Sequence, residues 1–307
     1  IKGVTLVKVT TNTNNFGWGQ ISPYNSDIST EVLYRQVAPF VIGADISNLN
    51  DLGNLIDLVY DKQHKFPGTY MCRALGGLDT AIWDLHGRLI NKPVCDLIGN
   101  CKTKKIRVYG SSMKRQITPA DEVDRFKKLI DDSGFNAFKF RIGSEVGRNL
   151  DEWEGRTEEI ISLMGKNFAN IDLLVDANSC YTPDKAIEIG KILESNGIIH
   201  YEEPCPYWEH EWTKKVTESL DLNITGGEQD NSMTIFKKYI DENIVNIIQP
   251  DILYLGGIER TLRVAKYASK KNMICTPHAA NMSLVTIFTL HLLAAIENAG
   301  PYLEYSI

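Results

Sequence analysis

The chain has 307 residues, of which 43% are hydrophobic and 23% charged, and its formal net charge is −6. This is the composition of an ordinary globular protein, and the acidic balance argues against a nucleic-acid surface, which needs a basic face. No apolar run approaches the roughly 18 residues of a membrane-spanning helix, so no membrane contact is predicted. The six cysteines form neither a CxxC pair nor a zinc spacing, which is typical of reduced thiols in a cytoplasmic enzyme.

The N-terminal part of the chain shows strands followed by helices. Residues 1–20 predict two strands joined by a turn of threonines and asparagines. Apolar residues then recur at helical spacing over 30–40 and 49–63, and in a stronger stripe over 71–89. We therefore expect an α+β domain over residues 1–105.

From Ile106 onward, apolar strands alternate with helices. The predicted strands are 106–110, 137–141, 171–177, 198–204, 223–228, 244–251, 273–278 and 302–305. The predicted helices are 119–133, 156–168, 183–196, 209–219, 233–241, 258–271 and 284–298. Strands that are apolar throughout are typical of a parallel sheet buried on both faces. Eight strands with seven helices between them favour an α/β barrel, the modified TIM barrel (β/α)7β, over an open doubly wound sheet for residues 106–307.

Three acidic residues stand at the ends of consecutive predicted strands. Asp176, Glu202 and Glu228 end the third, fourth and fifth barrel strands, and each lies 26 positions after the one before. Because the carboxyl ends of barrel strands meet at the face that carries chemistry, these carboxylates are expected to form an oxygen-only cage. Hard cations such as Mg²⁺ prefer oxygen ligands, which predicts a magnesium site. The competing interpretation is that all three are solvated loop charges, in which case their equal spacing is a coincidence.

Further charged side chains are predicted at the same face. Lys139 and Arg141 lie two residues apart on the second strand and so point to the same side, where carboxylates or an anionic substrate would compensate them. Asp251 and His278 end the neighbouring sixth and seventh strands, and an Asp that accepts from one ring nitrogen would fix the tautomer of His278. Without that Asp, a structural histidine would be the simpler interpretation. Glu304 ends the eighth strand and could donate to a substrate oxygen when protonated.

These residues resemble the enolase superfamily and, within it, the mandelate racemase-like group. The resemblance extends over nearly the whole chain, from an α+β capping domain, whose first part is expected to precede this sequence, to a (β/α)7β barrel. It implies that Asp176, Glu202 and Glu228 bind one Mg²⁺ per subunit, and that a base removes a proton next to a carboxylate. The catalytic residues that it implies are His278, Asp251, Lys139, Arg141 and Glu304. It also implies a homo-oligomer.

One residue departs from the pattern of the family, which usually has a second lysine where this chain has Arg141. Arginine stays protonated at ordinary pH, which disfavours a racemase with a base on each face of the substrate. We therefore predict a Mg²⁺-dependent sugar-acid dehydratase in which His278 acts on the proton next to the carboxylate. The alternatives are a racemase or epimerase of a 2-hydroxy acid, and a barrel that binds metal without catalysis. Asn178 and Tyr24 are the predicted substrate contacts.

Overall fold

The chain forms two compact units. The computed structural model describes residues 3–99, 101–103, 105–280 and 282–307. Unit 1 comprises Ile1–Ile106, Glu228–Lys237 and Pro250–Pro301. Unit 2 comprises Arg107–Gly227, Lys238–Gln249 and Tyr302–Ile307. These units interleave along the chain, so the sequence-based division into domains 1–105 and 106–307 stays a prediction.

Unit 1 begins with a β-hairpin and continues with helices, as the sequence predicts. The elements are β1 (Thr5–Thr10), β2 (Phe16–Ile21), α1 (Ser26–Val32), α2 (Ala38–Val41), α3 (Leu52–Lys62), α4 (Thr69–Ile90) and α5 (Val94–Ile98). A π-helical turn (Leu33–Val37) joins α1 to α2, and a 3-10 turn (Leu49–Asp51) precedes α3. Strands β1 and β2 are antiparallel. A side chain at Gly17 or Gly19 would overlap the backbone of α4, so these glycines let the hairpin lie directly on that helix.

The remaining elements alternate between strand and helix. They are β3 (Arg107–Ser111), α6 (Pro119–Ser133), β4 (Ala137–Arg141), α7 (Arg156–Asn167), β5 (Asp172–Asp176), α8 (Pro183–Ser195), β6 (His200–Glu202), α9 (His210–Ser219), β7 (Asn223–Gly226), α10 (Met233–Asp241), β8 (Ile247–Ile248), α11 (Ile252–Leu255), α12 (Ile258–Ser269), β9 (Ile274–Cys275), α13 (Leu284–Ala295) and β10 (Tyr302–Ser306). The strands form one sheet in the order β10-β3-β4-β5-β6-β7-β8-β9, with parallel pairing. The predicted (β/α)7β fold with an α+β capping region is therefore confirmed. Helix α11 is an addition, because four residues are too few to give a periodic pattern.

Strand β4 shows how the sequence positions charged residues. All five residues of Ala137–Arg141 are buried, and successive side chains point to opposite faces of the strand. The ring of Phe138 stacks on Phe126 of α6 with the ring centroids 4.2 Å apart, so this face of the strand packs against the helices. Lys139 and Arg141 consequently point to the other face, as their spacing of two residues predicts.

Helix lengths are those of a globular protein. Helix α4 has 22 residues and buries most of them, including charged Arg73 and Asp79. Helix α13 is apolar along most of its 12 residues. In the part of the chain that the structure describes, no helix is both long and apolar enough to cross a membrane.

The turn between α11 and α12 contacts α4 closely. Gly257 has a φ of 111°, and a Cβ at this position would overlap the carboxyl group of Asp79. The buried Asp79 carboxyl accepts hydrogen bonds from the backbone N–H groups of Ile258, at 2.5 Å, and Glu259, at 3.2 Å. An acidic side chain of α4 thus caps the first turn of α12. From sequence, the glycine pair 256–257 predicts an ordinary tight turn. In the structure, the absence of a side chain at Gly257 also leaves room for the carboxyl group of Asp79.

We expect Gly257→Ala to lower the free energy of unfolding by about 3 kcal/mol or more, because it combines left-handed backbone strain with displacement of a buried carboxyl group. Gly134→Ala is the matched control: Gly134 has a φ of 69°, but a Cβ there would meet nothing within 4 Å. Strain alone should reduce its stability by about 1 kcal/mol. Urea denaturation measures both variants, and equal losses would contradict the proposed overlap.

Candidate active site

Unit 2 carries a buried cluster of charges on four of its strands: Asp176 and Glu202 end β5 and β6, whereas Lys139 and Glu304 lie in the middle of β4 and β10. The Nζ of Lys139 lies 2.6 Å from Glu202 Oε1, 3.0 Å from Glu304 Oε1 and 3.7 Å from Asp176 Oδ2. All four side chains are almost fully buried. Strands β4, β5 and β6, which carry Lys139, Asp176 and Glu202, are consecutive in the sheet, and β10, which carries Glu304, is one strand removed from β4. The strand order therefore brings the four groups together.

Arg141 is the second cation of this cluster. It lies directly opposite Asp176 in the strand register, and its Nη1 donates to Asp176 Oδ2. The other oxygen of Asp176 accepts the backbone N–H of Asn178 at 2.7 Å, from a left-handed backbone with a φ of 51°. The side-chain oxygen of Asn178 accepts from Arg115 Nη2 at 3.1 Å. Asn178 thus lies beside the cluster, and its predicted role as a substrate contact stays a prediction.

Burial and pairing set the charges in this cluster. Burial alone would lower the pKa of Lys139, but Glu202 and Glu304 outweigh it and raise that pKa well above its ordinary value. Burial also opposes ionisation of Glu202, yet Lys139 and His200 hold its pKa well below the ordinary value. At Asp176, burial outweighs Arg141 and raises the pKa. Lys139 is therefore a lasting cation, and a further positive charge would stabilise the Asp176 carboxylate.

Neutral side chains complete the cluster. Ser111 Oγ donates to Glu304 Oε1 at 2.7 Å, and Gln249 Nε2 donates to Glu202 Oε2 at 3.0 Å. The ring centre of Tyr109 lies 5.3 Å from Lys139 Nζ, and burial raises the pKa of its hydroxyl group well above its ordinary value. The sequence motifs assign no role to these residues. Of these residues, Gln249 could most easily have been identified from the sequence, because it belongs to the polar QPD segment that also contains Asp251.

A second cluster, in unit 1, centres on His278. Its Nδ1 lies 2.7 Å from Asp251 Oδ2 and its Nε2 lies 3.1 Å from Glu228 Oε2, and all three residues are buried. A parallel bridge pairs Asp251 with His278. The other oxygen of Asp251 caps α11 by accepting from the backbone N–H groups of Leu253 and Tyr254. Asp251 is therefore held at both oxygens and orients the imidazole, and Nε2 is the ring nitrogen that can exchange a proton.

The structure thus groups the predicted residues into two clusters. Unit 2 brings together Lys139, Arg141, Asp176, Glu202 and Glu304. Unit 1 brings together Glu228, Asp251 and His278. Their roles as metal ligands and catalytic groups stay predictions.

Tyr24, the other predicted substrate contact, follows β2 in unit 1. Its ring centre lies 6.0 Å from the guanidinium carbon of Arg73 on α4. That carbon lies 4.1 Å from the ring centre of Tyr254, and the rings of Tyr254 and His278 have centroids 6.0 Å apart. A series of side chains therefore links Tyr24 to His278. Arg73 could not be singled out from sequence, because it interrupts the apolar pattern of α4 without belonging to any motif.

A further cluster lies in the N-terminal part of unit 1. Among the residues that the structure describes, one group of three potential metal ligands has its ligand atoms within 4.8 Å of one another: Cys95, Asp96 and Cys101. The sequence did not predict it, because a separation of six residues is not a zinc spacing. Burial and the neighbouring Cys101 thiol raise the pKa of Cys95 to about 11. Cys95 is thus protonated at neutral pH, and a metal would have to displace that proton.

The parallel sheet, the acidic strand ends and the α+β cap define an enolase-like barrel. The pattern of the mandelate racemase/muconate lactonizing enzyme N-terminal domain matches residues 2–99, and the enolase C-terminal domain-like pattern matches residues 121–306. The chain therefore belongs to the mandelate racemase/muconate lactonizing enzyme family, which confirms the resemblance.

Three relatives show the range of similarity. A solved structure from Roseobacter denitrificans, provisionally named a racemase, is 56% identical, with a TM-score of 0.95, and the match covers 100% of this chain and 83% of that one. Arabinonate dehydratase of Saccharolobus solfataricus is 26% identical, and the match covers 98% of this chain and 78% of that protein. A mandelate racemase/muconate lactonizing protein from Paracoccus denitrificans, solved with magnesium, is 23% identical, covers 98% and 80% of the two chains, and has a TM-score of 0.89. This last protein shares the fold.

Proposed function

We propose that the protein is a Mg²⁺-dependent dehydratase that converts a sugar acid to a 2-keto-3-deoxy acid. The observation that carries the proposal is the pairing of His278 with Asp251 at 2.7 Å. His278 is oriented for proton transfer, whereas Lys139 and Arg141 are each bound to carboxylates. One base and a set of fixed cations suit elimination. The dehydratase name of the Saccharolobus relative agrees with this reaction class.

We further propose that Asp176, Glu202 and Glu228 hold the Mg²⁺. Asp176 and Glu202 fit a hard cation because they are buried oxygen donors, and burial disfavours the Asp176 carboxylate without more positive charge. The ammonium group of Lys139 lies between the carboxylates of Asp176, Glu202 and Glu304. Among the described residues, these three do not bring one oxygen each within 4.8 Å of one another. Glu228 follows β7 by two residues, as the third strand-end carboxylate. A bound Mg²⁺ would act as a Lewis acid toward the substrate carboxylate.

The remaining chemistry belongs to side chains of this chain. In the proposed reaction, Lys139 Nζ donates to a substrate carboxylate oxygen and stabilises the charge that develops there. His278 Nε2 takes the proton from the carbon next to that carboxylate, and the C–H electron pair enters the ene-diolate. His278 then returns the proton to the β-hydroxyl group, which leaves as water when its C–O bond breaks. The enol that remains tautomerises to the 2-keto acid. Asp251 keeps the imidazolium in place throughout.

A racemase or epimerase is the second candidate, since the relative at 56% identity carries that provisional name. Such an enzyme needs a base on each face of the carbon that loses its proton. The obvious candidates on β4 do not suit: a guanidinium remains protonated, and carboxylates raise the pKa of Lys139. The contacts of Lys139 and Arg141 therefore favour the dehydratase.

Proton NMR in D₂O with Mg²⁺ and a panel of acid sugars and 2-hydroxy acids tests the reaction. We expect one or more acid sugars to be replaced by the signals of a 2-keto-3-deoxy product. Deuterium at C2 together with the appearance of an epimer would instead establish the racemase. Binding of acids without exchange of their C2 protons would indicate a barrel that binds metal without catalysis.

We expect Glu228→Gln to weaken Mg²⁺ binding at least about tenfold, because an amide oxygen carries no net charge with which to hold a hard cation. Isothermal titration with MgCl₂ measures the effect. Glu211→Gln is the control, since Glu211 is 71% exposed and pairs with Lys238 at the surface. Unchanged Mg²⁺ affinity in Glu228→Gln would remove Glu228 from the ligand set.

A further inference from the structure

Arg73 is a buried cation whose hydrogen-bonding capacity is not filled. The residue is 8% exposed. Its Nη1 donates to Ser22 Oγ, and its Nε is buried with no hydrogen-bond partner. Within the described ranges, no carboxylate lies at ion-pair distance from Arg73. Its guanidinium carbon lies 4.1 Å from the ring centre of Tyr254 and 6.0 Å from that of Tyr24. Its charge is thus met by a hydroxyl group and two ring faces.

Such an arrangement is unfavourable without an anion. Burying a guanidinium costs free energy unless the protein supplies an opposite charge and hydrogen-bond acceptors. A buried N–H group without an acceptor adds to this cost. Aromatic faces offset only part of this desolvation cost, about 0.5–2 kcal/mol for each cation–π contact. A carboxylate matches the planar fork of arginine with two parallel hydrogen bonds. A carboxylate would therefore supply both the counter-charge and the hydrogen-bond acceptors that Arg73 lacks.

The position of Arg73 connects this requirement to the proposed reaction. The Tyr254 ring lies 4.1 Å from the Arg73 guanidinium carbon and 6.0 Å from the His278 ring. One side chain therefore separates the unmet cation from the proton-transferring imidazole. In the proposed function, the substrate carboxylate next to the lost proton is held by Lys139. Because the proposed function already gives that carboxylate a partner, a carboxylate at Arg73 is assigned to another part of the substrate.

We infer that Arg73 binds a second carboxylate at the far end of the substrate, so that the preferred substrate is a sugar diacid rather than a sugar monoacid. This inference rests on the proposed function for the identity of the reacting end. Ser22 holds one nitrogen of the guanidinium and Tyr254 supports its plane, so that the remaining donors are presented in a fixed orientation.

The test compares binding and turnover of matched acids: galactaric with galactonic acid, and glucaric with gluconic acid, all with Mg²⁺. We expect wild-type protein to bind the diacids at least about 30-fold more tightly, the usual consequence of one buried charge pair. Arg73→Gln should lose this preference while binding the monoacids within about threefold of wild type. Arg73→Lys should recover part of the preference, because it restores the charge without the planar fork.

Arg88→Gln is the matched control, because Arg88 also lies on α4 and against an aromatic ring, that of Phe16, but pairs with Asp84 and is exposed. It should leave the diacid preference unchanged. Equal wild-type affinity for diacids and monoacids, or a preference retained in folded Arg73→Gln, would overturn the inference. Titration calorimetry measures the binding preference even if no acid is turned over. If the diacids bind more tightly but are not turned over, the result contradicts the proposed dehydratase reaction and not the role of Arg73.

Discussion

His278→Asn is expected to reduce turnover by about 10³-fold or more, the contribution of a well-placed general base. Asparagine is close to the size of the proximal half of the imidazole, and its amide can still donate to Asp251. It cannot accept and return a proton at the position of Nε2, which now lies 3.1 Å from Glu228. The fold should therefore persist while proton transfer stops.

Exchange of the substrate C2 proton in D₂O measures this loss directly, since it reports proton abstraction even when elimination is slow. Mg²⁺ affinity should stay within a few-fold of wild type, because His278 is not a ligand in the proposed site. His64→Asn is the control: His64 contacts the backbone oxygen of Asp61 in an exposed setting and should not affect exchange. Retention of more than about a tenth of wild-type exchange by His278→Asn would show that another group is the base.

The strand ends were predictable from sequence because two local signals coincide there. Apolar runs identify buried parallel strands, and polar tips such as those containing Asp176 and Glu202 stand where each run stops. The alternation of β4 likewise places Lys139 on one face and Phe138 on the other. Neither inference requires knowledge of distant contacts, and both agree with the structure.

The contacts that complete these clusters were not predictable in the same way. Lys139 meets Glu304 across 165 positions of sequence, at a distance set by the side-chain rotamers as well as by the strand order. Asp251 caps a helix too short to give a pattern, which adds a structural duty to its contact with His278. Arg73 lies in a helix whose stripe indicates only packing. In each case the decisive partner is remote in sequence.

Lys139→Met is expected to abolish turnover and to destabilise the fold without metal by about 3–5 kcal/mol at neutral pH, the usual effect of breaking a buried ion pair by removing one partner. The loss is large because one ammonium group lies 2.6 Å from Glu202 and 3.0 Å from Glu304. Both carboxylates are buried, and no methionine atom can donate to them. Lys127→Met is the control, since Lys127 faces Asp124 at 3.7 Å on the surface, and its effect should stay below about 1 kcal/mol.

The pH dependence separates this mechanism from a simple packing defect. In wild type, Lys139 helps to hold the pKa of Glu202 below its unfolded value, so this group contributes stability above the unfolded pKa that is lost as the pH falls through the folded pKa. Without Lys139, burial dominates and the folded pKa of Glu202 should exceed the unfolded one, so protonation then favours the folded state. The loss of unfolding free energy caused by Lys139→Met should therefore be smaller at pH 5 than at pH 8. Urea denaturation in EDTA at these two pH values measures it, and a deficit that stays constant would attribute the loss to packing rather than to unpaired charge.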